Sequence, residues 1–139
     1  MRLMEELLPV GGSVEFTATG NSMRPMLFDK GSKVRLRAPN LLRRGDVILY
    51  RRENGEFVLH RIVKAGEELT VCGDAQWHPE SGIRRGQVLA VMTDFTYHGR
   101  WVSCENGVYR LYRRVWLSLR PLRHLCMGAL GRIRHADAR

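Results

Sequence analysis

Between Ser13 and Gly99 the chain is cut into short runs of β-forming residues by turn residues, and this alternation limits the fold more than any other feature. The runs are Ser13 to Thr19, Lys33 to Arg37, Asp46 to Arg51, Phe57 to Lys64, Glu68 to Cys72 and Gln87 to Tyr97, with Gly31, Gly45, Asn54-Gly55, Gly66 and Gly86 between them. Six such runs within about 85 residues predict a mainly β domain built on a coiled, barrel-like sheet. Asn54 and Gly55 both tolerate positive φ, so this pair predicts a hairpin joining the strand that ends near Arg51 to the strand that carries His60.

The two ends read differently. Met1 to Leu8 predicts a short docking helix with Leu3, Met4, Leu7 and Leu8 on one face, stopped by Pro9 and Gly11-Gly12. After Gly99 a last strand, Arg100 to Cys104, is turned by Asn106-Gly107. Helical spacing then follows, with Tyr109, Tyr112, Trp116, Leu119 and Leu122 three or four apart and Arg110, Arg113, Arg114, Arg120 and Arg123 on the other faces. Pro121 divides this stretch into two short helices. The organisation expected is a β domain over residues 1–107 and a basic amphipathic helical tail over 108–139.

Composition narrows the function classes. A chain of 139 residues fits one domain, and 44% hydrophobic with 27% charged residues fits neither a disordered chain nor a membrane bundle. The net charge of +9 is concentrated in the tail: residues 1–99 hold 14 Lys+Arg against 12 Asp+Glu, residues 100–139 hold 9 against 2. No reading motif accompanies the arginines, so nucleic acid is not the expected partner. Cys72, Cys104 and Cys126 lack paired spacing, which argues against a disulfide scaffold and a four-thiolate zinc site and suits a reducing, cytoplasmic compartment. Cys72, Asp74, His78 and His60 fit no closed zinc pattern, and no Gly-rich phosphate loop precedes a helix, so neither metal nor cofactor is expected.

One stretch points to chemistry. Gly20-Asn21-Ser22-Met23-Arg24-Pro25-Met26-Leu27 follows a predicted strand and can present Ser22 on a turn beside free backbone N–H groups. By itself a serine next to glycine is a turn residue. Three further boxes follow: Arg44-Gly45-Asp46-Val47-Ile48-Leu49-Tyr50, then Val58-Leu59-His60-Arg61-Ile62-Val63, then Cys72-Gly73-Asp74-Ala75. In this order and spacing they resemble the signal-peptidase and LexA-type serine peptidases, over residues 16 to about 92 or roughly two thirds of the chain.

The resemblance implies a signal-peptidase-type fold with Ser22 as nucleophile and Met23 and Pro25 shaping the turn beside it. Where many members use a lysine base this chain has His60, as in the histidine branch of the family, and a neutral imidazole can accept the serine proton at pH 7. A carboxylate behind the ring would steady it and raise its pKa above the ordinary ~6.5. The position implied for that acid is Asp74, with Glu80 as the alternative after Trp77-His78-Pro79. Gly20 stands where part of the family has a serine hydroxyl at the oxyanion hole, so the donor becomes backbone, chiefly the N–H of Ser22. Of the lysines, Lys30 and Lys33 lie in the turn after the serine box, and Lys64 lies about 13 Å from His60 along an extended strand.

Only about 20 residues precede Ser22, and they are not apolar enough to span a membrane. The resemblance therefore implies neither an ordinary integral signal peptidase nor a self-cleaving repressor. The expected activity is a cytoplasmic serine endopeptidase cleaving a leader or precursor peptide. The alternative is a non-catalytic peptide-binding module that keeps the fold, and a weaker third reading is an adaptor working through its tail. Residues 109–126 could lie against an anionic membrane surface or pack as an ordinary helix on the β domain or on a second copy.

Overall fold

The computed structural model describes residues 12–18, 20, 22–24, 26–27, 31–76 and 78–119. The expected N-terminal helix at Met1 to Leu8 and the second tail helix beyond Pro121 lie outside them. The described chain is mainly β, with eight strands in one antiparallel sheet that does not close. The strands are β1 (Ser13–Thr17), β2 (Lys33–Arg37), β3 (Val47–Arg51), β4 (Phe57–Ala65), β5 (Glu68–Cys72), β6 (Glu80–Arg84), β7 (Val88–Tyr97) and β8 (Arg100–Ser103). Their order is β1-β2-β7-β3-β4-β5-β6, with β8 also paired to β7.

The hairpin at Asn54-Gly55 forms, pairing Ile48 with His60 and Arg51 with Phe57. It differs from a two-residue turn, because Arg52 N–H bonds the Glu56 carbonyl at 2.8 Å and Gly55 alone takes a positive φ, +91°. β6 was not expected from the sequence: of Glu80–Arg84 only Ile83 is buried, so the segment carries no alternating apolar signal.

The central strand β3 is buried on both faces. Val47 and Leu49 enter a larger core with Met23, Leu27, Leu36 and Phe95, whereas Ile48 and Tyr50 enter a second with Ile62, Leu69, Val71 and Ile83. The sheet thus separates two apolar clusters, and the parity of each strand decides which one a side chain joins.

A helix, α1, covers residues 107–119. Asn106, expected to turn a strand, is instead its N-cap: Asn106 Oδ1 accepts the N–H groups of Val108 and Tyr109 at 2.9 and 3.3 Å. Tyr109 is part of the larger core, so the described tail packs on the β domain. Among the described residues no helix is long and apolar enough to cross a membrane.

Candidate functional site

Ser22 lies against the loop that leaves β5. The N–H of Ala75 donates to the Ser22 carbonyl at 2.8 Å, and Asp74 N–H points at Met23 Sδ at 3.4 Å. Gly73 is required by this approach, since a Cβ there would fall 2.5 Å from the Ser22 carbonyl oxygen and 3.0 Å from Ser22 Cβ. Gly20 adopts φ +83°, a conformation that strains a residue with a side chain. Beside Ser22 runs a groove of about 330 Å³, walled by Phe16, Ala18, Met23, Leu27, Leu49 and Leu59.

The groove is flanked by strand edges that carry no partner strand among the described residues. β1 ends the sheet, and β5 pairs with β4 only as far as Cys72 opposite Arg61, leaving Phe57 to His60 without a β5 partner. Gly73 continues β5 next to the register position of His60, and Ser22 rests on Gly73. The first and fourth boxes are therefore brought together beside the third.

His60 is only 4% exposed. Strand parity directs it toward the face of Ile48, Tyr50 and Ile62, while Leu49 and Leu59 face the groove. No hydrogen bond joins Ser22 to His60 among the described residues. The ring is instead tied to Tyr50: His60 Nδ1 lies 3.3 Å from Tyr50 Oη, and Tyr50 Oη–H donates to Glu80 Oε2 at 2.8 Å. Because the tyrosine proton goes to the carboxylate, its oxygen is left to accept from Nδ1–H. This relay assigns the tautomer and leaves the lone pair on Nε2. Arg52 anchors Glu80 from behind at 3.0 Å.

The charge state follows from burial. Desolvation, helped by the nearby Arg52 cation, pushes His60 down to about 4, against the smaller pull of Glu80 and Asp74. The upward shift expected from a neighbouring carboxylate is thus reversed, because desolvation and the Arg52 cation outweigh the pull of the two acids. Burial alone would raise Glu80, but hydrogen bonds from Arg52 and Tyr50 outweigh it and hold its carboxyl below the usual range.

Asp74 occupies a different network. Arg61, 1% exposed, grips it through two bonds, Nε to Oδ1 at 2.8 Å and a terminal nitrogen to Oδ2 at 2.9 Å. Tyr112 Oη donates to the same Oδ2 at 3.0 Å, and Arg61 also donates to the Gly45 carbonyl at 2.7 Å. Burial would lower Arg61, yet the charge and hydrogen bonds of Asp74 hold it protonated well above its ordinary value. Of the two acids considered for orienting His60, Glu80 is the one connected to the imidazole, through Tyr50. Cys72 directs its thiol at the carbonyls of Gly73, Gln76 and His78, as a loop-closing donor.

Sequence reasoning missed Tyr50, Arg52 and the burial of Arg61. The hairpin register carried the signal for Tyr50: with Ile48 opposite His60, Tyr50 is its diagonal neighbour on the same face, and the two ring centroids are 6.1 Å apart. The chain matches no family model, no curated protein and no solved structure.

Proposed function

We propose that the chain is a serine endopeptidase of the signal-peptidase-like type, with Ser22 as nucleophile and His60 as general base, acting on a leader or precursor peptide. The observation that carries this reading is the His60–Tyr50–Glu80 relay, which keeps a neutral imidazole with its lone pair on Nε2, at a strand position next to the Gly73 on which Ser22 rests. An extended peptide would add to the edges of β1 and of the first half of β4 that are unpaired among the described residues, placing small side chains in the apolar groove.

In the proposed reaction Ser22 Oγ attacks the scissile carbonyl while its proton passes to His60 Nε2. The oxyanion accepts the backbone N–H of Ser22. His60 then returns the proton to the leaving amine, and water hydrolyses the acyl ester by the same route. The imidazolium formed in each step is steadied through Tyr50 by the Glu80 carboxylate, while Asp74 keeps Arg61 and the loop under Ser22 in place.

A second reading, a peptide-binding module without catalysis, is favoured by strand parity, which turns His60 to the sheet face away from the groove beside Ser22. Catalytic hydrogen bonds often form only with substrate, and the peptidase reading requires that substrate binding bring Ser22 and His60 within reach of each other. Incubation with a peptide library, followed by mass spectrometry of new N-termini, separates the two. Ser22-dependent cleavage supports the peptidase, and binding without cleavage supports the module.

Peripheral contact with an anionic membrane belongs to the same proposal, but through a different face from the aromatic one. Tyr109, Tyr112 and Trp116 turn toward Arg61 and Asp74. Val108, Leu111, Val115 and Leu119 form an exposed stripe on an adjacent face of α1, and residues 107–119 carry Arg110, Arg113 and Arg114 with no acid. An apolar stripe with a cationic flank is complementary to an anionic lipid surface.

A further inference from the structure

We infer that Tyr112 and Trp116 are positioning residues for Ser22, acting through the Gly73-Asp74-Ala75 loop; in its catalytic consequence this rests on the peptidase reading above. The loop lies between helix and serine. On the helix side, Tyr112 Oη donates to Asp74 Oδ2 at 3.0 Å and Trp116 Nε1–H donates to the Asp74 backbone carbonyl at 3.2 Å. On the serine side, Ala75 N–H holds the Ser22 carbonyl at 2.8 Å, and the absent Cβ of Gly73 lets the two segments touch. The carbonyl that Trp116 fixes and the N–H that fixes Ser22 belong to the same peptide unit, Asp74–Ala75. A planar peptide cannot turn one without the other. The orientation of the indole donor is therefore transmitted to the serine backbone within one rigid group.

The two helix side chains also support each other. They sit four residues apart on one helical face and stack with ring centroids 5.5 Å apart and planes 23° from parallel. Neither is fully buried, so their hydrogen bonds can be removed without opening the core. Asp74 is already held twice by Arg61, and the carboxylate does not need Tyr112 for neutralisation. What Tyr112 and Trp116 add is direction: they press the loop from the side opposite Ser22. Because the N–H of Ser22 is the proposed oxyanion donor, a small rotation of this backbone would misplace the donor and the nucleophile together.

The experiment uses the full chain carrying Tyr112→Phe, Trp116→Phe and both together. Backbone amide exchange by NMR is followed alongside kcat and KM for a library-derived peptide. The expected result for the double variant is exchange of the Ala75 amide about 10-fold faster or more, with the amides of β3 and β4 unchanged. kcat should fall about 10-fold at constant KM, and each single variant should show a smaller effect of the same kind. Unchanged Ala75 exchange in the double variant overturns the inference, as does faster exchange throughout the sheet, which marks a general structural role. If Ala75 is loosened selectively while the wild type shows no Ser22-dependent cleavage, the helix-to-serine coupling stands and the peptidase reading fails.

Discussion

The two carboxylates Asp74 and Glu80 lie six residues apart and serve opposite ends of the molecule's electrostatics. Asp74 is 2% exposed and neutralises a guanidinium buried to the same degree, whereas Glu80 is one-third exposed and shares its charge with Arg52 and Tyr50. The first pair is buried, with its two charges facing each other and its other bonds going to neutral groups such as Tyr112 and the Gly45 carbonyl, so losing a partner strands a charge in the core. The second ends on an imidazole whose remaining nitrogen is uncommitted in the relay. The difference teaches that burial and connectivity separate a structural ion pair from a candidate catalytic one, although the resemblance offers both acids for the same role behind His60.

The strongest test of this contrast removes the acids one at a time. Asp74→Ala leaves Arg61 buried and unpaired and should cost about 3–5 kcal/mol of unfolding free energy. Joint replacement of Arg61 and Asp74 by apolar residues of similar volume should recover most of that loss. Urea titration of the three proteins checks this, and a near-neutral Asp74→Ala would erase the distinction.

Glu80→Gln and Tyr50→Phe should do the reverse. Each should change stability by about 1 kcal/mol, while kcat/KM for peptide cleavage falls about 10- to 100-fold, a part of what a positioned base contributes. Equal losses of stability in the Asp74 and Glu80 variants would show that both acids are structural.

The pH dependence sharpens the same point. His60 is depressed to about 4 in the folded chain against ~6.5 unfolded, so between these values the unfolded chain binds the extra proton. Its contribution to stability is fully present above pH ~6.5 and falls away toward pH ~4, by up to ~3 kcal/mol at 1.36 kcal/mol per unit. Glu80 acts in the same direction, since its lowered value makes its contribution fade as pH falls through it. Thermal melts of wild type and His60→Gln between pH 4 and 7 should converge toward the acid end. The acidic limb of kcat/KM should likewise lie nearer pH 4 than 6.5; a midpoint at 6.5 would mean that the ring is solvated in the working enzyme.

Much of this was legible in the sequence, and the gaps have physical causes. The hairpin, the strand bearing His60 and the turn bearing Ser22 follow from β-forming runs and glycine punctuation. β6 was hidden because Glu80-Ser81-Gly82-Ile83-Arg84 has one buried side chain and Gly82 at φ +75°. The relay was hidden because Tyr50 meets His60 across a register and not along the chain. Arg61 sits in a motif, but its partner and depth depend on the convergence of β4, the turn before β3, the loop after β5 and α1.

The smallest expected effect concerns the outer face of α1. Leu111→Ser with Val115→Ser should reduce cosedimentation with phosphatidylserine-containing vesicles by several fold and leave melting and cleavage within error, because neither network reaches that face. Binding that is unchanged, or equal on neutral vesicles, removes the membrane proposal.

The central claim is that Ser22 is a nucleophile activated by His60. Its most direct test compares wild type, Ser22→Ala and His60→Ala on one peptide library, with new N-termini quantified by mass spectrometry. Cleavage by the wild type alone, with both variants folded and still binding the same peptides, is the expected result. Equal cleavage by Ser22→Ala, or binding by the wild type without any cleavage, would contradict it.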